Sequence, residues 1–162
     1  MASDMPSSPK VESSNLYPGL SFSEFTLHQF FDHVFSLHQH GKKGILSVAF
    51  LPKDQHSEIH GRFLKDFRPT DVITFPADEE EENAGEILVS VDQAIGESKE
   101  RDLSFQEELS LYLIHGWLHL VGFDDREQED RKIIRREEKR VMDSIRELQA
   151  WPDFLLASMS DQ

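Results

Sequence analysis

Two histidines and an aspartate in one stretch of the chain, HGWLHLVGFDD, are residue types that together could bind a metal ion. His115 and His119 are four positions apart, which on an α-helix places them on one face, about 6 Å apart along the axis. Gly122 can adopt a positive φ, end the helix and let the chain turn back. Asp124 or Asp125 could then supply a third ligand. Three protein ligands with a fourth position open are the arrangement of a catalytic zinc site.

The same histidines could instead be ordinary core residues. A lone histidine among leucines on a helix is more often hydrogen-bonded to the backbone, but two of them with a turn glycine and an acid favour metal binding. The spacing also resembles that of HExxH metalloproteases, in which a glutamate directly after the first histidine is the general base. Here that position is Gly116, so the pattern does not favour peptide hydrolysis by that mechanism.

The composition limits the class of protein. With 162 residues, 38% of them hydrophobic, the chain is long enough for one domain with a substantial core. It has no cysteine, which excludes disulfides and thiolate zinc sites. No apolar run approaches the roughly 20 residues of a membrane span, and no signal pattern is found, so we expect a cytoplasmic protein without membrane contact. A net charge of −14 confines any nucleic-acid binding to a local patch.

Hydrophobic periodicity predicts helices and strands between two polar ends. Residues 1–20 are rich in serine and proline and are expected to form a flexible N-terminal tail, 21–156 the domain, and 157–162 a polar C-terminal tail. The predicted helices are 23–41, 53–65, 91–101, 104–121 and 126–150. The predicted strands are 44–51, 68–76 and 85–90, and the acidic residues 78–83 are predicted to form a solvated loop.

The helix that carries the histidines is predicted to be central to the fold. Ser104 and Glu107 have the spacing of a capping box, which places the start of the helix there. Apolar residues occur on too much of its circumference for a surface helix. Trp117 lies on the side away from the histidines and is predicted to be a core residue rather than a base-stacking one.

Three motifs together resemble the bacterial YbeY family of endoribonucleases and ribosomal RNA maturation factors. They are PTDVITFP at 69–76, GEILVS at 85–90 and the histidine stretch, within a similarity that covers about residues 23–150. The resemblance implies an α/β (α+β) single domain, with a small mixed sheet of about four strands, about five helices and a metal site on a central helix. It also implies one catalytic metal, usually Zn²⁺, and hydrolysis of single-stranded RNA in ribosomal RNA maturation and quality control, with ribosomal or small-subunit proteins as partners.

The chain departs from the family pattern at two places. The family's third metal-binding histidine falls on Asp125, so the implied ligands are His115, His119 and Asp125. The added negative charge should weaken the ion as a Lewis acid and shift metal preference toward harder ions such as manganese. A family arginine falls on Leu64, and Arg62, Lys65 or Arg68 could replace it as the catalytic phosphate contact.

Other charged residues allow more than one interpretation. Asp124 could orient a ligating histidine, or it could end the helix at the surface. The basic residues between 131 and 140 alternate with acids, which is typical of a solvated helix with ion pairs. The better candidate for RNA contact is the group Lys42, Lys43, Arg62, Lys65 and Arg68.

Three functions remain open. A metal-dependent endoribonuclease is favoured. The alternatives are a ribosome-assembly binding factor with weak or no catalysis, in which the metal is structural, and a metallohydrolase acting on another substrate such as a peptide.

Overall fold

A four-stranded mixed sheet forms the centre of the protein in a computed structural model, which describes residues 8–38, 43–64, 70–77, 80 and 83–157. Its strands are β1 (Lys10–Asn15), β3 (Ile45–Leu51), β4 (Val72–Phe75) and β5 (Asn83–Ser90), in the order β1-β3-β5-β4. The pairs β1–β3 and β3–β5 are parallel, and β4–β5 is antiparallel. A separate two-stranded antiparallel pair joins β2 (Leu20–Ser21) to β6 (Leu155–Leu156).

Five helices in the described part of the chain pack with this sheet, so the α/β prediction is confirmed. They are α1 (Glu24–Leu37), α2 (Lys53–Leu64), α3 (Val91–Arg101), α4 (Phe105–Leu120) and α5 (Gln128–Leu148). Each lies within one or two turns of its predicted bounds, because hydrophobic periodicity and caps are local properties of the sequence. None of these helices is long and apolar enough to cross a membrane.

Helix α4 is the central helix. Its first turn carries the predicted capping box, in which the Ser104 hydroxyl accepts from the Glu107 amide and the Glu107 carboxylate accepts from the Ser104 amide. Ten of its residues are buried. Trp117 is fully buried, and its ring lies 4.8 Å from that of Phe35 on α1. The prediction that Trp117 is a core residue is therefore confirmed.

Gly116 allows α4 to lie very close to the sheet. A Cβ atom at this position would be 2.8 Å from Ile87 Cγ2 on β5, and 3.3 Å from side-chain methyls of Val72 and Thr74 on β4. Contacts below about 3 Å require a neighbour to move, and buried branched side chains in a packed interior can move little. The glycine between the histidines is thus a packing requirement, and a glutamate has no room there.

The prediction of a flexible tail over residues 1–20 is wrong for its second half. Residues 10–15 form the edge strand β1, which pairs with β3 over six residues. Beyond it, the Tyr17 hydroxyl donates a 2.7 Å hydrogen bond to Asp92, and Leu20 is buried. The strand was missed because only Val11 in it is buried, so its sequence lacks the alternation of a strand with one apolar face. Residues 1–7 and 158–162 lie outside the described residues.

Smaller differences concern the ends of elements. Strand β5 begins at Asn83, the last residue of the predicted acidic loop, whereas residues 78, 79, 81 and 82 lie outside the described residues. Helix α5 ends at Leu148 because Gln149 adopts a left-handed φ of 51°. The C-terminal segment packs against the domain as expected, with Phe154 buried and its ring 5.4 Å from that of Phe50.

Candidate metal centre

The structure brings the three predicted ligands together. Nε2 of His115 and Nε2 of His119 are 3.0 Å apart, and Oδ2 of Asp125 lies 3.6 Å from the first and 3.3 Å from the second. A tetrahedral zinc ion with bonds of about 2.0–2.1 Å separates its ligand atoms by about 3.3 Å. Two imidazole nitrogens and one carboxylate oxygen are also ligand types that zinc accepts. The donor set therefore fits one such ion, and among the described residues this is the cluster that could hold one.

The end of α4 turns the chain back toward the histidines. Gly122 has a φ of +111°, and its amide donates to the His119 carbonyl at 3.1 Å. The next amide, of Phe123, donates to the Leu118 carbonyl at 2.9 Å. These hydrogen bonds satisfy backbone carbonyls that would otherwise lack a donor at the end of the helix. Helices that end at a glycine with positive φ commonly show this pattern. The expectation that Gly122 ends the helix with a positive φ is thus confirmed.

The loop after Gly122 holds Asp125 in place. The side chain of Asp124 accepts from the Asp125 amide at 2.8 Å, and Arg131 on α5 donates to the backbone carbonyls of Asp125 and Arg126 at 3.2 and 2.9 Å. Asp124 also lies 3.6 Å from the Arg126 guanidinium. Of the two aspartates considered as third ligand, Asp125 faces the histidines, whereas Asp124 contacts the loop itself and neither histidine.

Glu138 on α5 contacts the opposite nitrogen of His115. Its Oε2 lies 2.6 Å from His115 Nδ1. A carboxylate at Nδ1 holds the proton there and leaves Nε2 as a lone pair that points at the candidate ion, an arrangement found around many metal-binding histidines. Sequence reasoning missed this role, because Glu138 looked like one of the alternating charges of α5.

Two opposing effects act on the pKa of His115. Burial by itself lowers it, because a desolvated imidazolium is unfavourable. The hydrogen bond and charge of Glu138, with smaller contributions from Asp71 and Asp125, outweigh burial, and the pKa of His115 is raised above its usual value. Negative charge is therefore concentrated around this imidazole, as a site for a cation requires.

An open cavity of about 230 Å³ adjoins the three ligands. Its other wall is β4 and the residues before it, which belong to the PTDVITFP motif: Thr70, Asp71, Val72, Ile73 and Thr74. Asp71 is held by its Oδ1, which accepts from the Val72 amide at 2.7 Å, and by its carbonyl, which accepts from the Ser90 amide at 2.9 Å. The structure thus adds Asp71 to the site. The signal for it in the sequence was that Asp71 belongs to one of the three motifs shared with the YbeY family.

The predicted phosphate contacts have different outcomes. Arg62 is exposed on α2 and does not line the cavity. Lys65 and Arg68 lie outside the described residues, as does Lys42. On α5, the expected ion pairs are present, with Lys132 3.4 Å from Glu129 and Lys139 2.6 Å from Asp143.

Comparison with known proteins identifies the family. The family model described as Endoribonuclease YbeY matches residues 16–146. The chain belongs to this family. The endoribonuclease YbeY of Carboxydothermus hydrogenoformans is 30% identical over 112 residues, which cover 68% of this chain and 78% of that protein. The endoribonuclease YbeY of Protochlamydia amoebophila is 34% identical over 110 residues, covering 65% of this chain and 73% of that protein.

A solved structure agrees with the YbeY assignment. The solution structure of TM1509 from Thermotoga maritima matches with a TM-score of 0.60 at 26% identity, covering 84% of this chain and 89% of that one. Membership of the YbeY family supports an RNA-cleaving hydrolase, and the His115, His119 and Asp125 cluster could hold the metal ion of such an enzyme.

Proposed function

We propose that this protein is a zinc-dependent endoribonuclease that cuts single-stranded RNA during ribosomal RNA maturation and ribosome quality control. One observation carries the proposal: in a chain of the YbeY family, three ligand atoms lie 3.0 to 3.6 Å apart beside an open cavity. The substrate is RNA, and the partners are the ribosome or proteins of its small subunit. This role places the protein in the cytoplasm.

The residues of the centre have separate tasks in this proposal. His115 and His119, through Nε2, and Asp125, through its carboxylate, would hold the ion. The ion would lower the pKa of a water molecule toward about 7 and polarise a phosphoryl oxygen. Glu138 keeps the proton of His115 on Nδ1, which maintains Nε2 as a ligand.

Asp71 is the proposed general base. It lines the same cavity as the three ligands, and its Oδ2 makes no hydrogen bond to a described residue. A carboxylate held through one oxygen has the other available to accept the proton of an attacking water. Arg62, Lys65 and Arg68 remain proposed contacts for the charge that develops on the phosphate, because they lie close to the position of the family arginine in the sequence and are cations.

The experiment measures metal content and cleavage of a single-stranded RNA in the same purified samples. The variants are His119→Ala and Asp125→Ala, with Asp32→Ala on α1 as a matched control, because Asp32 is an exposed acid that does not line the cavity. We expect about one zinc per chain in the wild type and control, and loss of both metal and cleavage in the two ligand variants. Retention of metal and full cleavage by both ligand variants would overturn the proposal.

The aspartate at position 125 favours a second candidate, a ribosome-assembly factor that binds RNA with little or no cleavage. A carboxylate ligand adds negative charge to the ion and makes its water a poorer source of hydroxide. Metal and RNA binding without cleavage in the wild-type protein would single out this function. A peptidase of the HExxH type is disfavoured further, because a glutamate at position 116 would collide with Ile87.

A further inference from the structure

A second cavity lies directly beside the metal centre. It has a volume of about 170 Å³ and shares two wall residues, Asp71 and His115, with the first cavity. Its remaining walls are Arg101, Leu111, Tyr112, Arg135 and Glu138. Because His115 belongs to both walls, a ligand in the second cavity would lie next to the candidate ion. Two arginines line it, whereas no arginine or lysine among the described residues lines the first.

Arg135 is available to bind a ligand. It is exposed and makes no hydrogen bond or ion pair with a described residue, whereas Lys132, Lys139 and Arg140 on the same helix are each paired with an acid. It precedes Glu138 by three residues, so the two lie on one face of α5. That face is turned toward His115, which Glu138 contacts.

Two acidic side chains hold Arg101 on the side away from the cavity. Its Nε lies 3.4 Å from Oε2 of Glu108, a fully buried carboxylate, and 3.6 Å from Oε2 of Glu97. A guanidinium has five N–H donors, and Arg101 makes no hydrogen bond to a described residue through its terminal nitrogens. A buried carboxylate behind the guanidinium limits its rotation, so its free edge is held at the cavity wall.

Two carboxylates also line the cavity and oppose the charge of the two arginines. The Glu138 carboxylate is hydrogen-bonded to His115 and the Asp71 carboxylate to the Val72 amide. Burial raises the pKa of Tyr112, and Glu108 raises it further, so the buried hydroxyl stays protonated and adds no negative charge to the cavity. The two arginines offset the charge of these two carboxylates, and Arg135, which has no acidic partner among the described residues, is the cation left to meet a phosphate.

We propose that Arg101 and Arg135 form a subsite that binds a backbone phosphate of the RNA next to the one that is cut. The RNA strand would pass from the cavity with Asp125 over His115 into the cavity with the two arginines. Bidentate arginine–phosphate contacts would set the position of the strand without reading its bases. The inference rests on the proposed ribonuclease function, and it adds a second set of phosphate contacts to those predicted for Arg62, Lys65 or Arg68.

The test compares Arg135→Gln with Arg136→Gln. Arg136 is the matched control, because it is the next residue of α5, is also exposed and does not line the cavity. Binding of a single-stranded RNA oligonucleotide is measured over a range of salt concentrations in a His119→Ala background, which keeps the RNA intact. Steady-state cleavage is measured in the wild-type background.

Loss of one phosphate contact should weaken RNA binding by about tenfold and lower the slope of log K against log salt by about 0.7. Cleavage should show a raised KM with little change in kcat. Arg101→Gln should behave in the same way. Because that change also leaves the Glu108 carboxylate without its cation, Arg101→Lys and a thermal unfolding curve accompany it. Arg136→Gln should change neither binding nor salt slope.

The outcomes separate this inference from the proposed function. If Arg135→Gln matches Arg136→Gln in affinity and salt slope while the wild type cleaves RNA, the subsite is overturned and the nuclease proposal stands. If Arg135→Gln weakens binding as expected but the wild type does not cleave, the subsite stands and the catalytic proposal fails. If the wild type neither binds nor cleaves RNA, both fail.

Discussion

Oε2 of Glu138 lies 2.6 Å from Nδ1 of His115, which joins the middle of α5 to the last turns of α4 directly behind the candidate metal centre. The contact determines which imidazole nitrogen carries the proton, and so which one is free to bind an ion. It also ties the ligands, which lie on α4 and the loop after it, to a second helix. The geometry of the centre therefore depends on how α5 packs.

Glu138→Gln should lower metal affinity about 10- to 100-fold, because a neutral amide holds the His115 proton less firmly than a carboxylate. The measurement is competition for zinc with a chelator of known affinity. Glu147→Gln, an exposed acid on the same helix, is the control and should bind as the wild type does. Equal affinity in the two variants would contradict a role for Glu138.

Gly116→Ala should lower the free energy of unfolding by about 1–3 kcal/mol, because the new methyl group would lie 2.8 Å from Ile87 Cγ2. Urea unfolding followed by circular dichroism gives this value. Gly96→Ala is the matched control, since Gly96 is also helical and has nothing within 4 Å of an added Cβ. That control should be stabilised by up to about 1 kcal/mol. Comparable stabilisation of both variants would show that α4 is not closely packed at Gly116.

Asp125→His should raise the preference for zinc over manganese and increase the rate of RNA cleavage at neutral pH. A neutral imidazole removes one negative charge from the ion, which strengthens it as a Lewis acid. Metal competition and cleavage rates with each ion test this. An unchanged zinc-to-manganese ratio would indicate that Asp125 does not bind the ion.

Glu107→Gln should reduce stability at neutral pH and not in acid. The Arg146 side chain, which donates to Glu107 at 2.8 Å, is the main cause that holds the pKa of Glu107 below its usual value. A carboxyl with a lowered folded-state pKa stabilises the protein above its unfolded-state pKa, and this contribution is lost as the pH falls through the folded-state pKa.

The expected effect is about 0.5 kcal/mol, because both side chains are partly exposed. Glutamine keeps the capping-box contact with Ser104, so the change isolates the charge. Thermal unfolding at pH 7 and pH 3 measures it. A difference between variant and wild type that is the same at both pH values would exclude the ion pair as its source.

Much of the candidate site was visible in the sequence because its main features are local. The spacing of His115 and His119, the turn at Gly122 and the cap at Ser104 follow from helix geometry within a few residues. Sequence position alone could not show whether Asp124 or Asp125 is the third ligand, because both follow the turn. The loop contacts decided it, by directing the Asp124 side chain to the Asp125 amide.

Sequence patterns and the resemblance to the YbeY family were enough to predict the fold class, the helix that carries the histidines and the set of residues that could bind a metal. Tertiary structure decided the rest, because pairing between distant segments leaves no periodic signal. Glu138 is 23 positions from His115, and residues 10–15 became a strand only by pairing with β3. The contact between Gly116 and Ile87 is a further example. Position 116 requires a glycine because α4 lies close to β5 there, and the sequence of neither element shows how closely they approach.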